Sequence, residues 1–380
     1  METKPTPDGS RRKFIYNLGL TTLGISSFAS IYSCNSSTKN QNKETTLNPE
    51  KVKLGIALVG LGSYAGGQLA PALEQTEHCY LAGIVTGTPS KIPEWKEKYN
   101  IPDKNIYTYE NFDSIKDNPD IDIIYVVLPN SMHAEYTIRA AQAGKHVICE
   151  KPMAITVEDC DRMIEACNKA NVRLSIGYRL HFDPFHQEMI RLANEKVFGE
   201  RTDLSSSFGF KASAGIWRLN KTLAGGGPLM DLGIYCVQGF CYLSGMEPIA
   251  VTAKEGPKTD PVKFSEVEES LTWEFEMPNG LRAKGKTSYS ENMNVLRAEA
   301  EKGWFQLSPA FNYGGLKGET STGKMEIQPV NQQAKQMDDF AVAIRDNRPS
   351  PVPGEMGRRD VRLLQAIYEA MRTGKRIELT

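Results

Sequence analysis

No charge of one sign dominates this chain: 45 Lys and Arg stand against 46 Asp and Glu over 380 residues, leaving a formal net charge of -1. A bulk nucleic-acid binder or a supercharged solvating protein needs a field of one sign, so both classes are disfavoured. Cysteine is scarce. Its seven positions include no CxxC pair, which excludes a disulfide scaffold and that type of zinc or iron–sulfur site. His78, His133, His146, His181 and His186 are dispersed and form no clustered His/Cys/Asp set, so no metal is expected. The most apolar early run, residues 15–32, is too polar and short for a convincing membrane span.

What is present is length. The chain exceeds the usual single-core range of roughly 50–250 residues, which predicts two domains or one enlarged domain. Residues 1–33 read as an export signal. Ser10, Arg11, Arg12, Lys13 and Phe14 precede the Gly/Ser/Thr-rich run in the order of a twin-arginine leader, whose pathway exports folded proteins. Cys34 follows Ile31, Tyr32 and Ser33 as in an imperfect lipobox, where it would carry a lipid anchor; the other reading is a disordered arm. Residues 34–50 are a polar tether. The expected location is therefore outside the cytoplasm, periplasmic or membrane-anchored. The remaining cysteines, Cys79, Cys149, Cys160, Cys167, Cys236 and Cys241, lie mostly in apolar stretches and read as buried thiols.

The folded region starts near Lys51. An apolar run over 52–59 leads directly into Gly60, Leu61, Gly62, Ser63, Tyr64 and Ala65, then a helical pattern through Gln75. Strand, glycine turn and helix are the context a dinucleotide-binding loop requires: Gly60 for the turn, Gly62 for close approach of a pyrophosphate, Ala65 for tight helix packing. The second strand, 80–85, ends in Thr86, Gly87, Thr88, Ser90 and Lys91 rather than in an acidic residue. Hydroxyls with a cation suit a 2′-phosphate, so NADP is expected, with NAD as the alternative.

Strand and helix patterns then alternate through residue 177, predicting a mostly parallel sheet whose ligands lie at the carboxyl ends of its strands. Pro129-Asn130, Glu150-Lys151-Pro152 and Tyr178-Arg179 fall there. Ser131 is the expected cap of the helix that His133 helps to open. Lys151, held between a buried strand and Pro152, is placed to orient substrate hydroxyls. Beyond Gly177 strand-like runs over 200–210, 249–253, 268–275, 281–289 and 296–305 suggest a broad antiparallel or mixed sheet, with a face free for a homo-oligomer. In the segment from Gly225 to Tyr235, three glycines precede Asp231 and Tyr235, four apart on one helical face. A carboxylate and a phenol so placed can grip sugar hydroxyls and exchange a proton.

From Lys51 to Thr380 the chain resembles the glucose–fructose oxidoreductase, inositol dehydrogenase and rhizopine-catabolism family of NAD(P)-dependent oxidoreductases. The motifs that carry the likeness are Gly60-Leu61-Gly62, Pro129-Asn130-Ser131-Met132-His133-Ala134, Glu150-Lys151-Pro152 and the stretch from Gly226 to Tyr235. Glucose–fructose oxidoreductase is the nearer likeness, through the leader, Tyr178-Arg179, Trp217-Arg218, Asn331-Gln332 and Gln365-Ala366-Ile367-Tyr368. The resemblance implies a Rossmann domain, residues 51–180, and a substrate-binding and oligomerisation α+β domain, residues 181–380. It also implies a C-terminal helix packing back on the first domain and association of the chains into dimers or tetramers.

The same likeness makes Lys151, Asp231 and Tyr235 catalytic and, with Tyr178, substrate-binding. It places Gly60, Gly62, Ser63, Tyr64, Thr86, Lys91, Tyr109, Pro129, Asn130, His133, Glu150, Lys151, Arg179, Trp217 and Arg218 around the cofactor. The implied reaction is hydride transfer between a sugar hydroxyl carbon and tightly bound NADP. Residues 36–50 are less similar to the arm that wraps the family enzyme's cofactor, and Leu180 and Phe182 depart from the pattern, which leaves the sugar open. The alternatives are a sugar or inositol dehydrogenase with exchangeable cofactor, a redox-assisted glycosidase, and a non-catalytic sugar sensor.

Overall fold

The computed structural model describes residues 53–379. The residues expected to form an export signal and a tether, Cys34 among them, lie outside the described residues.

Six strands form the first sheet: β1 (Leu54–Val59), β2 (Cys79–Val85), β3 (Ile106–Tyr107), β4 (Ile123–Val126), β5 (His146–Cys149) and β6 (Leu174–Ile176). Their order is β3-β2-β1-β4-β5-β6, and every pairing is parallel. All six residues of β1 are buried because a central parallel strand is covered on both faces, which is why it reads as an unbroken apolar run. Each large side chain so buried contributes about 1.5–3 kcal/mol. The strand order reverses at β1 and β4, and a crevice outside the carboxyl ends follows from that topology.

Helices cover the faces. After the glycine turn a π turn, Ala65–Leu69, runs into the short helix Ala70–Leu73, ending before the expected Gln75. Thr156 caps the helix Val157–Lys169 by accepting from the Asp159 N–H. Ser131 does not act as a cap: residues Asn130–Met132 form a 3-10 turn, and no side chain caps the helix His133–Gln142 that follows.

The second sheet has nine strands: β7 (Arg201–Gly209), β8 (Ala250–Glu255), β9 (Ser270–Glu276), β10 (Arg282–Ser288), β11 (Met293–Ala300), β12 (Gly303–Leu307), β13 (Gly318–Thr320), β14 (Gly323–Lys324) and β15 (Ile377–Glu378). Only β7 and β10 pair in parallel; the other neighbours are antiparallel. The apolar run expected as one strand over 296–305 is a hairpin, because Glu301 and Lys302 make a turn between β11 and β12. The π turn Leu229–Gly233 and the buried helix Ile234–Ser244 pack under this sheet.

Two C-terminal helices join the layers. Met337, Phe340, Ala341 and Ile344 of Gln332–Arg345 share a core with Leu54, Ile56 and Leu58 of β1. The helix Gly354–Thr373 lies so near the first sheet that a Cβ on Gly357 would stand 2.9 Å from Met153. All six described cysteines are buried and unpaired.

Candidate active site

The carboxyl ends of β1, β2, β4 and β5 open into one cleft of about 670 Å³, closed on its far side by residues 208–210, 217–218, 231–235 and 311–313. At the β1 end, Gly60 has φ 98°, and a Cβ there would lie 2.5 Å from the Val127 carbonyl oxygen. Only glycine fits such a turn. At Gly62 a Cβ would meet nothing within 4 Å, so the backbone faces open cleft, the cradle a pyrophosphate needs. Gly87 allows the Tyr109 ring to lie 2.5 Å from where its Cβ would be.

Thr86 accepts a 3.0 Å bond from the Thr88 N–H, and Lys91 Nζ donates to the Leu61 carbonyl at 2.8 Å, tying the β2 end to the glycine loop. The carboxylates among the lining residues are Glu150 and Asp231, both beside Lys151. The β2 end of the cleft is therefore free of negative charge. These residues fit a dinucleotide.

Chemistry concentrates at that end. Lys151 Nζ donates to the backbone carbonyl of Asp231 at 2.8 Å, stands 3.4 Å from its Oδ1, and lies 4.6 Å from the centroid of the Tyr235 ring. Asp231 Oδ2 receives Arg218 Nε at 3.0 Å and the Tyr289 hydroxyl at 3.0 Å. Burial by itself drives the Asp231 carboxyl upward, yet Lys151, Arg218 and the Tyr289 bond outweigh it and hold it below the usual carboxylate value. Burial likewise pulls the Lys151 ammonium down, but Tyr235, Asp231 and Glu150 together leave it above the usual lysine value. The pair thus stays ionised in a dry site. Arg179, 2% exposed, lies with its guanidinium 5.3 Å from the Tyr235 ring centroid.

Most residues expected to line the cleft do line it, but several direct their polar atoms elsewhere. Tyr178 is the correction: its side chain is 1% exposed and turned away from the cleft, with Asp360 and Arg359 as charged neighbours. The chain leaves β6 through a 3-10 turn, Arg179–Phe182, that puts Arg179 on the cleft side and leaves Tyr178 in the core. Arg218, expected at the cofactor, spends its guanidinium on Asp231. His133 borders the cleft with both ring nitrogens 2.9 Å from backbone carbonyls, Nδ1 from Pro152 and Nε2 from Leu128. It ties two strand ends together. Asn130 donates to the Ala224 carbonyl at 2.8 Å and joins the first sheet to the glycine-rich segment.

Sequence reading missed Tyr289, Tyr313 and Glu268. Glu268 is buried and accepts from the N–H groups of Gly227 and Leu229 at 3.0 and 3.1 Å and from the Tyr368 hydroxyl at 2.8 Å, which fixes the turn before Asp231. No spacing signal links these residues, since they meet only when the second sheet closes on the helix.

Two family models match the chain: the oxidoreductase family with an NAD-binding Rossmann fold over residues 54–178, and the GFO/IDH/MocA C-terminal domain over residues 186–306. The structure of an aldose-aldose oxidoreductase from Caulobacter crescentus, complexed with glycerol, is similar with a TM-score of 0.84 and 43% identity, over 86% of this chain and 100% of that one. D-xylose 1-dehydrogenase [NADP(+)] of Haloarcula marismortui is 25% identical over 351 residues, 89% of this chain and 96% of its own. D-glucoside 3-dehydrogenase of Escherichia coli is 27% identical over 353 residues, 86% and 97% of the two chains.

Proposed function

The chain belongs to the GFO/IDH/MocA oxidoreductase family, an NAD(P)-binding enzyme acting on CH–OH groups, and from that premise we propose that it oxidises one sugar and reduces another with an NADP that stays bound. The observation that carries this reading is the convergence of Lys151, Asp231 and Tyr235 at one end of a cleft that begins at Gly60 and Gly62. The 43% likeness to an aldose-aldose oxidoreductase supports a pair of sugars as substrates, in line with the resemblance to glucose–fructose oxidoreductase.

Gly60, Gly62, Ser63 and Tyr64 would hold the pyrophosphate, and Thr86, Lys91 and Tyr109 the adenosine end. When bound, the nicotinamide supplies hydride acceptance and donation. Tyr235 takes the sugar hydroxyl proton on its phenolate oxygen during oxidation and, as the phenol so formed, returns it during reduction. Lys151, its Nζ 4.6 Å from the Tyr235 ring centroid, supplies positive charge that stabilises the phenolate. Asp231, ionised and held from both sides, accepts from a neighbouring sugar hydroxyl and fixes the reacting carbon. The leader-like residues 1–33 fit export of the folded, loaded enzyme, with lipidation of Cys34 as the anchor, and the second sheet offers the face for a homodimer or homotetramer.

The test is spectroscopic. Purified protein is expected to carry nicotinamide nucleotide, to convert it to the reduced form on addition of an aldose such as glucose, and to reoxidise it on addition of a second sugar, with no nucleotide in solution. Reduction that requires continual supply of external NADP would instead establish an exchanging dehydrogenase, the reading favoured by likeness to the D-xylose enzyme. A bound cofactor inert to every sugar tested would sink both.

A further inference from the structure

One pair of aromatic rings crosses the mouth of the cleft. Tyr64, in the glycine loop of the first sheet, meets Tyr313, in the loop that follows β12, with ring centroids 5.5 Å apart and planes tilted by 31°. Nothing in the hydride chemistry uses this contact. Tyr313 is 49% exposed, so its ring lies at the edge of the cleft.

The loop beneath Tyr313 is hydrogen-bonded at its base and exposed at its tip. Asn294 Oδ1 accepts from the N–H groups of Ala310 and Phe311 at 2.7 and 2.8 Å, and its Nδ2 donates to Asn312 Oδ1 at 2.7 Å. Arg179 donates to the carbonyls of Phe311 at 2.6 Å and Asn312 at 2.9 Å and to Gln332, while its guanidinium carbon lies 4.5 Å from the Tyr313 ring centroid. Immediately after Tyr313 come Gly314 and Gly315; a Cβ on either meets nothing within 4 Å, and Gly315 has φ 69°. A pinned base, an aromatic tip and a two-glycine joint are the parts of a latch.

We propose that Tyr64 and Tyr313 form a clasp over the cleft that retains the dinucleotide between the two half-reactions, with Arg179 as the pin that holds the clasp shut. The inference rests on the reading of the cleft as a dinucleotide site. Retention requires that nucleotide leave more slowly than sugars turn over, and the clasp joins the loop that holds the pyrophosphate to the half of the molecule that binds the sugar. Opening needs rotation at the glycine joint and separation of the two rings, without movement of Lys151 or Asp231.

Release of NADPH is followed by its fluorescence after the loaded full-length protein is mixed with excess NADP. Tyr313→Ala is expected to release NADPH about tenfold faster, the effect of losing one aromatic pair and one cation–π contact, whereas Tyr313→Phe stays within about twofold of the parent. Tyr64→Ala is expected to accelerate release as well, and the double variant Tyr64→Ala/Tyr313→Ala to add little to the faster single one, since both remove the same ring–ring contact. Thermal melts of each apo variant guard against misfolding. Release unchanged by Tyr313→Ala in a protein with a parental melt overturns the clasp alone. Fully additive effects also overturn it, because the rings then act separately. Failure of the parent protein to bind either nucleotide overturns both the clasp and the reading of the cleft.

Discussion

Lys151 is bound to Asp231 twice, through the backbone carbonyl at 2.8 Å and the carboxylate at 3.4 Å. A lysine from the first sheet is thereby referenced to the backbone of the second half, not only to a side chain that could swing away.

Removing the phenol should separate chemistry from binding. Tyr235→Phe is expected to slow single-turnover reduction of the bound cofactor by about 10²–10⁴-fold, the usual worth of a positioned general acid or base. Lys151→Met should slow the same step and also raise the Asp231 pKa, because one of the charges that depress it is gone. Stopped-flow absorbance measures the first effect, and the pH dependence of sugar affinity the second.

The two glycines of the loop should fail differently. Gly60→Val adds a Cβ against the Val127 carbonyl in a left-handed conformation and is expected to destabilise the fold by several kcal/mol. Gly62→Val meets open space, so the melting temperature should stay near that of the parent while nucleotide affinity falls at least about tenfold. Calorimetry of folding and of nucleotide binding distinguishes them.

Cofactor choice is tested at Lys91. Lys91→Ala removes the cation that joins the β2 end to the glycine loop, and the preference for NADP over NAD should fall about tenfold. Equal weakening of both nucleotides would assign Lys91 to loop structure alone.

Acid should weaken the fold through His146. Burial first, then Arg173 and Lys145, push its imidazole from 6.5 down to about 4. Its folded pKa is depressed, so its contribution is complete above the unfolded value near 6.5 and is lost as pH falls toward 4. At about pH 5 the loss from this one group is roughly 2 kcal/mol. His146→Gln, whose amide oxygen can still accept from the Arg173 N–H, should narrow the gap between urea midpoints measured near neutrality and near pH 5.

The turn before Asp231 has its own signature. Tyr368→Phe removes one bond to Glu268 and should cost about 1 kcal/mol. Glu268→Ala leaves Gly227, Leu229 and Tyr368 without their acceptor and should cost about 3 kcal/mol or more, seen as a lower thermal transition and a loss of sugar affinity.

The parallel sheet, the glycine loop and the Lys151, Asp231 and Tyr235 candidates were legible because each rests on local sequence: an unbroken apolar strand, a turn only glycine can make, a lysine held between strand and proline. Tyr178 was misplaced for a local reason too, since the chain leaves β6 in a turn where two adjacent polar residues face opposite ways, and sequence cannot say which faces the ligand.

Local pattern thus determined that this chain builds a nucleotide sheet, and pattern together with the family resemblance singled out Lys151, Asp231 and Tyr235 as candidates for its chemistry. Only the tertiary structure decided that Arg218 and Tyr289 hold Asp231, that Glu268 buttresses its turn, and that Tyr64 meets Tyr313 across the cleft. The first three contacts form when the second sheet packs on the turn and helix that carry Asp231, and the last when the two halves of the chain come together, which no spacing in the sequence encodes.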